Sequence, residues 1–177
     1  KDYIMKDTLI SRREFLKDIG MIGAGVLLSA SPWLSAFSEV VETSGEKCRL
    51  AIIGPGSRGR FLMSFLVQNP KVEIVALCDI YQPSIEKALE LAPKAKVYDD
   101  YREILEDKTV DAVLVATPLN SHCQIVLDAF DAGKHVFCEK SIGFTMEECF
   151  RIYNKHISTE KVFFTGQQRL FDPRYIK

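Results

Sequence analysis

The stretch Gly54-Pro55-Gly56-Ser57-Arg58-Gly59 constrains this chain more than any other. It has the spacing G-x-G-x-x-G and follows the apolar run Leu50 to Ile53. Such a run, ending in glycine, reads as a central parallel strand buried on both faces. Behind the motif, Arg60 to Gln68 reads as a helix that stops near Asn69-Pro70. In that setting each glycine has its own reason. Gly54 permits a tight turn, Gly56 lets the main chain approach a diphosphate, and Gly59 lets helix and strand pack closely. Amides at the helix start supply donors and positive potential for an anion. Pro55, Ser57 and Arg58 complete a candidate dinucleotide-binding loop.

The rest of the chain alternates short apolar runs with longer amphipathic ones. Val72 to Cys78 is a second strand, ending in Asp79. Pro83 fits a first helical turn, with Ile85, Ala88, Leu89 and Ala92 along one face. Val97-Tyr98 is a short third strand, and Asp99 or Asp100 caps the brief helix after it, with Ile104 and Leu105 inward. Ala112 to Ala116 is a fourth strand, followed by a helix over 121–132 with Gly133 as its C′ residue. His135 to Cys138 is a fifth strand. Thr145 caps the next helix, with Glu148 as its reciprocal partner. Lys161 to Thr165 is a sixth strand. Six strands separated by helices predict an α/β fold, a doubly wound parallel sheet of the Rossmann kind. Ligands of such sheets lie at the carboxyl ends of the strands. Here those ends carry Gly54, Asp79, Thr117-Pro118 and Glu139-Lys140.

Asp79 follows the second strand, where a carboxylate accepts both hydroxyls of an adenosine ribose. It would repel a 2′-phosphate, which favours NAD over NADP. Arg58 works against that preference, because it is able to stack near adenine or reach a 2′-phosphate. Flavin and S-adenosylmethionine are competing ligands for such a loop. Against the first, FAD proteins usually carry Glu at the ribose. Against the second, the usual antiparallel seventh strand of methyltransferases is missing. Thr117, Pro118, Leu119, Asn120 and His122 follow the fourth strand, and Glu139 and Lys140 follow the fifth. They border the place of the nicotinamide. Lys140 is the strongest candidate for orienting a substrate hydroxyl or moving its proton, and a pairing with Glu139 is the bland alternative. His122, in the first turn of its helix, serves either as a donor or acceptor toward cofactor or sugar, or as a capping and packing residue.

Charge and cysteine content narrow the class further. After Gly45 the chain has 18 Lys+Arg and 18 Asp+Glu. No basic run marks a nucleic-acid surface. The cysteines, 5 in all, form no CxxC pair, and most read as small buried apolar residues. Three histidines without HExxH spacing give no metal site.

The N-terminal residues read differently from the rest. Arg12-Arg13-Glu14-Phe15-Leu16-Lys17 precedes an uncharged stretch from Ile19 to Ser38. A basic head before an apolar segment has the shape of an export signal. Its twin arginines are similar to those of signals that carry folded proteins across a membrane, which predicts a periplasmic or otherwise exported protein and the export machinery as a partner. A buried N-terminal helix and an uncleaved membrane anchor are the other readings. The expected organisation is therefore signal and linker over 1–45, dinucleotide-binding domain over 46–166, and a connection to a further domain over 167–177.

Beyond the glycine loop, Cys78-Asp79-Ile80, Ala116-Thr117-Pro118 with Asn120 and His122, and Glu139-Lys140 with Thr145 resemble the Gfo/Idh/MocA oxidoreductases. Gly166-Gln167-Gln168-Arg169 and Asp172-Pro173-Arg174-Tyr175 are similar to that family's exit from its nucleotide domain. The resemblance implies an NAD(P)-linked oxidoreductase acting on a sugar, cyclitol or polyol. In it the glycine loop holds the pyrophosphate, the residue matching Asp79 binds ribose, and the lysine matching Lys140 handles the proton. It adds Gln167 to the cofactor candidates. Some exported relatives are glycosidases that oxidise the substrate transiently and return the hydride, with no net redox change. A nucleotide-binding remnant without catalysis is the third reading. Two departures stand out. Ser141 replaces the usual proline after the Glu-Lys pair, which leaves that turn freer. The family's C-terminal α/β domain is absent from these residues, so they are expected to bind cofactor without turnover. That domain also carries the main dimer interface of relatives, so a homo-oligomer is expected only of the intact protein.

Overall fold

The computed structural model describes residues 47–167; residues 1–46 and 168–177, with the expected export signal, linker and connection to a further domain, lie outside that range. Eleven elements follow in strict alternation: β1 (Cys48–Ile53), α1 (Ser57–Leu66), β2 (Val72–Cys78), α2 (Gln82–Leu89), β3 (Lys96–Tyr98), α3 (Tyr101–Glu106), β4 (Ala112–Val115), α4 (Leu119–Asp131), β5 (His135–Cys138), α5 (Met146–His156) and β6 (Phe163–Thr165). They form one 6-stranded sheet in the order β3-β2-β1-β4-β5-β6. Every neighbouring pair is parallel.

Strand alternation sorts the core into two layers. Side chains of successive strand residues point to opposite faces. Leu50, Ile52, Leu114 and Phe137 pack on one face with Leu62, Met63 and Leu66 of α1 and Ile85 and Ala88 of α2. Ala51, Ile53, Val113, Val115, Val136 and Cys138 pack on the other with Ile104 of α3, Val126 and Ala129 of α4 and Ile152 of α5. The chain thus winds outward from β1 on one face. It returns to β4 across α3 and winds outward again on the opposite face. The connections on either side of β1 and β4 leave in opposite directions, which opens a crevice at their carboxyl ends.

Local signals fix most boundaries. Thr145 and Glu148 form the reciprocal cap of α5. Gly133 has φ +70°, as a C′ residue requires. Asp100, not Asp99, caps α3 by accepting the Arg102 amide. Four cysteines, Cys48, Cys78, Cys123 and Cys138, are buried and free. Burial pushes the thiols of Cys48 and Cys138 up to about 12 and that of Cys78 to about 11.

Among the boundaries that differ from the sequence reading, three element starts shift. α1 starts at Ser57 rather than Arg60, so Gly59 lies within the helix. α4 starts at Leu119 rather than 121, directly behind Pro118. β6 is only three residues long, beginning at Phe163 rather than Lys161. The Val162 amide turns to His135 Nδ1 at 3.0 Å, which takes that donor out of the strand ladder.

Candidate functional site

The site is built around the turn from β1 into α1. Gly54 has φ +86°, and a Cβ there would stand 2.7 Å from the Thr117 amide nitrogen and 2.8 Å from the Ala116 carbonyl carbon. This close approach brings the ends of β1 and β4 together, so a side chain is excluded by both conformation and space. A Cβ on Gly59 would lie 2.5 Å from the Gly54 carbonyl oxygen. Two of the three motif glycines are therefore demanded by the protein's own packing. Gly56 is not: a Cβ there would meet no atom within 4 Å, and its φ is −65°. No neighbour in the chain requires that position to be bare.

Gly56 is also the N-cap of α1, and it offers no side-chain acceptor to the helix. The Arg60 amide makes the first helical bond, to the Gly56 carbonyl at 3.0 Å. The amides of Ser57, Arg58 and Gly59 have no acceptor among the described residues. Three donors at the positive end of a helix, beside a bare main-chain turn, form a receptor for an anionic group. Pro55 is buried, and its carbonyl accepts from the Arg60 guanidinium at 2.8 Å, which closes the outer side of the turn.

A cleft of about 1020 Å³ opens from this turn toward β2 and β3. Gly54, Gly56, Asp79, Thr117, Pro118 and Asn120 all line it. Asp79 is half-buried, with one carboxylate oxygen accepting the Tyr81 amide at 2.9 Å. The sheet order adds residues that sequence reading left out. Because β3 lies beside β2, Asp99, Asp100, Tyr101 and Arg102 line the same cleft. Arg102 lies 4.8 Å over the Tyr101 ring and pairs with Asp100 at 3.1 Å. The Arg102 amide, followed by its guanidinium, holds the Asp100 carboxyl below the usual carboxylate range. Extending the rule of strand carboxyl ends to the short third strand would have found these residues.

The far side of the turn departs from expectation in three places. Arg58 does not enter the adenosine side of the cleft. Its Nε donates to Glu139 at 2.7 Å, and its guanidinium lies 5.3 Å over the Phe61 ring. Glu139 is only 5% exposed, and it pairs with Arg58 rather than with Lys140. A buried carboxylate needs a partner of this kind. Gly166 leaves room for it, since a Cβ there would touch the carboxylate at 2.8 Å.

His122 is the second departure. At 2% exposure it is buried, with Nδ1 2.7 Å from the Ser141 carbonyl and Nε2 2.8 Å from the Thr117 carbonyl. Both ring nitrogens face the main chain, so the ring has no polar edge left for a substrate. The ring therefore bridges two main-chain carbonyls instead of capping its helix, and presents no free nitrogen to a substrate. Ser141 is the third, because its carbonyl is tied to His122 and the turn is not free. The Lys140–Ser141 peptide is cis.

Lys140 itself is exposed, and its ammonium has no partner among the described residues. Neither it nor Ser57, Arg58, Gly59, Leu119, His122 or Glu139 lines the cleft toward β3. Ser57 is exposed and Leu119 is half-buried at the start of α4. Gln167 is exposed, with its amide on the Thr165 carbonyl at 2.7 Å.

Sheet order and open glycine turn together define a dinucleotide-binding domain of the Rossmann class. Residues 48–167 match the model of the Gfo/Idh/MocA family, described as an oxidoreductase family with an NAD-binding Rossmann fold. The chain belongs to that family. It is 34% identical over 162 residues to a glycosyl hydrolase family 109 protein of Stenotrophomonas maltophilia, matching 85% of this chain and 34% of that protein. An alpha-N-acetylgalactosaminidase of Shewanella oneidensis is 31% identical over 174 residues, covering 86% of this chain and 38% of that enzyme. Among solved structures, myo-inositol dehydrogenase of Lactobacillus casei, in complex with NAD(H) and myo-inositol, is 33% identical with a TM-score of 0.68. That match covers 72% of this chain and 38% of the dehydrogenase. The chain thus spans little more than a third of the length of the relatives it matches.

The glycines separate folding from binding. Gly56→Ala is expected to leave the melting temperature within about 2 °C of the original and to weaken NAD binding at least about tenfold, or 1.4 kcal/mol. Gly54→Ala is expected to destabilise the fold by roughly 1–3 kcal/mol. Calorimetry and thermal melts measure both; a Gly56→Ala protein with undiminished NAD affinity would remove the diphosphate from this turn.

Proposed function

We propose that these residues are the cofactor domain of an NAD-dependent glycosidase that cleaves its sugar substrate without net redox change. One observation carries the cofactor reading: Gly56 is bare although nothing in the protein crowds it, next to three unpaired amides of α1. The residues present fit a dinucleotide. Ser57, Arg58 and Gly59 would hold the diphosphate through their amides, and Asp79 would accept the adenosine ribose hydroxyls. Asp79, Asp99 and Asp100 give that end of the cleft a carboxylate lining, which supports NAD over NADP. The pairing of Arg102 with Asp100 and of Arg58 with Glu139 removes both nearby guanidinium groups from an easy role as 2′-phosphate ligands.

Thr117, Pro118 and Asn120, which line the same cleft, together with Leu119 at the start of α4, would form the floor beneath the nicotinamide. Glu139 would hold the turn after β5 in place. Lys140 would orient a substrate hydroxyl and exchange its proton, which suits an ammonium with no competing partner. Bound NAD would supply reversible two-electron oxidation of one substrate carbon, which loosens the neighbouring glycosidic bond toward elimination. The relatives named as glycosyl hydrolases support this reading over net dehydrogenation. Likeness to myo-inositol dehydrogenase supports a second reading, a polyol dehydrogenase. An aryl N-acetylgalactosaminide separates them. The intact protein is expected to release the aryl alcohol only with NAD present and to accumulate no NADH. Stoichiometric NADH from a free polyol, with no glycoside cleavage, would select the dehydrogenase.

Export in a folded, cofactor-loaded state completes the proposal. It rests on Arg12-Arg13 and the uncharged residues behind them. Matches covering 85% and 86% of the chain are longer than residues 48–177 alone, so the likeness to the two relatives extends upstream of residue 48. Replacing both arginines by lysine is expected to leave the protein in the cytoplasmic fraction; undiminished export of that variant would count against the route.

A further inference from the structure

His122 joins two turns that the sheet no longer holds. The last ladder bond between β4 and β5 runs from the Glu139 amide to the Val115 carbonyl at 2.9 Å. Beyond it the chain leaves β4 through Thr117 and Pro118 and leaves β5 through Lys140 and Ser141. The His122 ring bridges these two exits, with Nδ1 2.7 Å from Ser141 O and Nε2 2.8 Å from Thr117 O. A carbonyl only accepts, so a contact is a hydrogen bond where the facing ring nitrogen carries the proton; one ring tautomer donates to Ser141 and the other to Thr117. At 2% exposure the imidazole exchanges water for these two acceptors. An apolar ring would fill the same space without the cost of burying polar atoms. The polar contacts to both turns, rather than the volume, are what this residue adds.

We propose that His122 is a positioning residue: it ties the turn carrying Lys140 to the turn carrying Thr117 through Asn120, so that the two walls proposed to flank the nicotinamide keep one spacing. This rests on the placement of Lys140 proposed above. The thermodynamic expectation is selective. Adenosine and diphosphate contacts come from α1, β2 and the Gly54 turn, which Gly54 itself fixes against Thr117, so loss of His122 acts mainly on the Lys140 turn and the nicotinamide half. Ser121 strengthens the first wall independently, by donating to the Thr117 hydroxyl at 2.8 Å. Loss of the histidine therefore frees the Lys140 turn more than the Thr117 turn.

The test compares NAD with ADP-ribose, which has every part of NAD except the nicotinamide, on the 177-residue chain. Calorimetry gives both affinities, and peptide mass spectrometry follows acetylation of the Lys140 amine under saturating amounts of each. In the unaltered protein NAD should slow Lys140 acetylation relative to ADP-ribose. His122→Phe should abolish that protection and lower the NAD to ADP-ribose affinity ratio at least about threefold, with ADP-ribose affinity within about twofold of the original. His122→Gln, which restores one N–H donor, should recover part of both effects and decides the matter alone if the Phe variant does not fold. Two results overturn the staple: protection and ratio unchanged in the variants, or ADP-ribose binding lost in step with NAD binding, which marks a merely structural residue. Absence of NAD protection in the unaltered protein strikes instead at the placement of Lys140, and takes this inference with it.

Discussion

The main chain of Gly54 passes so close to the start of the β4 exit that no side chain fits between them. That approach governs the rest of the site. It brings the carboxyl ends of β1 and β4 to one point and aims the start of α1 at it. The Gly54 carbonyl in turn takes the space that a side chain on Gly59 would need, so turn, helix and neighbouring strand are locked as one unit. The crevice between the two windings of the sheet is where that unit sits, and the α1 amides face it with no acceptor of their own. Binding capacity here comes mostly from backbone geometry. Side chains refine it at the edges, with carboxylates on the β2–β3 side and an ion pair and a histidine on the β4–β5 side.

The two sides differ in how they are held. Toward β3, the carboxylates of the cleft make local contacts, Asp79 with Tyr81 and Asp100 with Arg102, while the Tyr101 hydroxyl donates to Asp128 at 2.6 Å. Toward β5, the walls depend on contacts across the fold. Arg58 reaches Glu139, and His122 reaches Ser141. The carboxylates at the β2–β3 end are thus held within a few residues of chain, whereas the β4–β5 end is assembled by tertiary contacts.

Much of this was legible in the residues because it was local. Apolar runs ending in Gly54 and Asp79 gave β1 and β2. The Thr145–Glu148 pair and Gly133 marked helix ends through chemistry contained within a few residues. What stayed hidden was nonlocal. Nothing near Arg58 indicates that it meets a carboxylate 81 residues away, and its charge alone pointed toward a phosphate. The same holds for His122, whose partner carbonyl on Ser141 is brought close only by β4–β5 pairing. The start of α1 was misplaced because glycine is a poor helix former, yet Gly59 is helical where packing against Gly54 demands it. The acidic lining from Asp99 and Asp100 depended on β3 lying next to β2, a feature of sheet order.

Every role proposed for this domain requires an anion at the bare turn. Titration of isotope-labelled protein with NAD, followed amide by amide by NMR, reads this directly. The Ser57, Arg58 and Gly59 amides are expected to shift together with that of Gly56, and all four to saturate at the same NAD concentration as signals around Asp79. Signals of these four amides that stay in place while NAD perturbs another surface would contradict this placement of the anion.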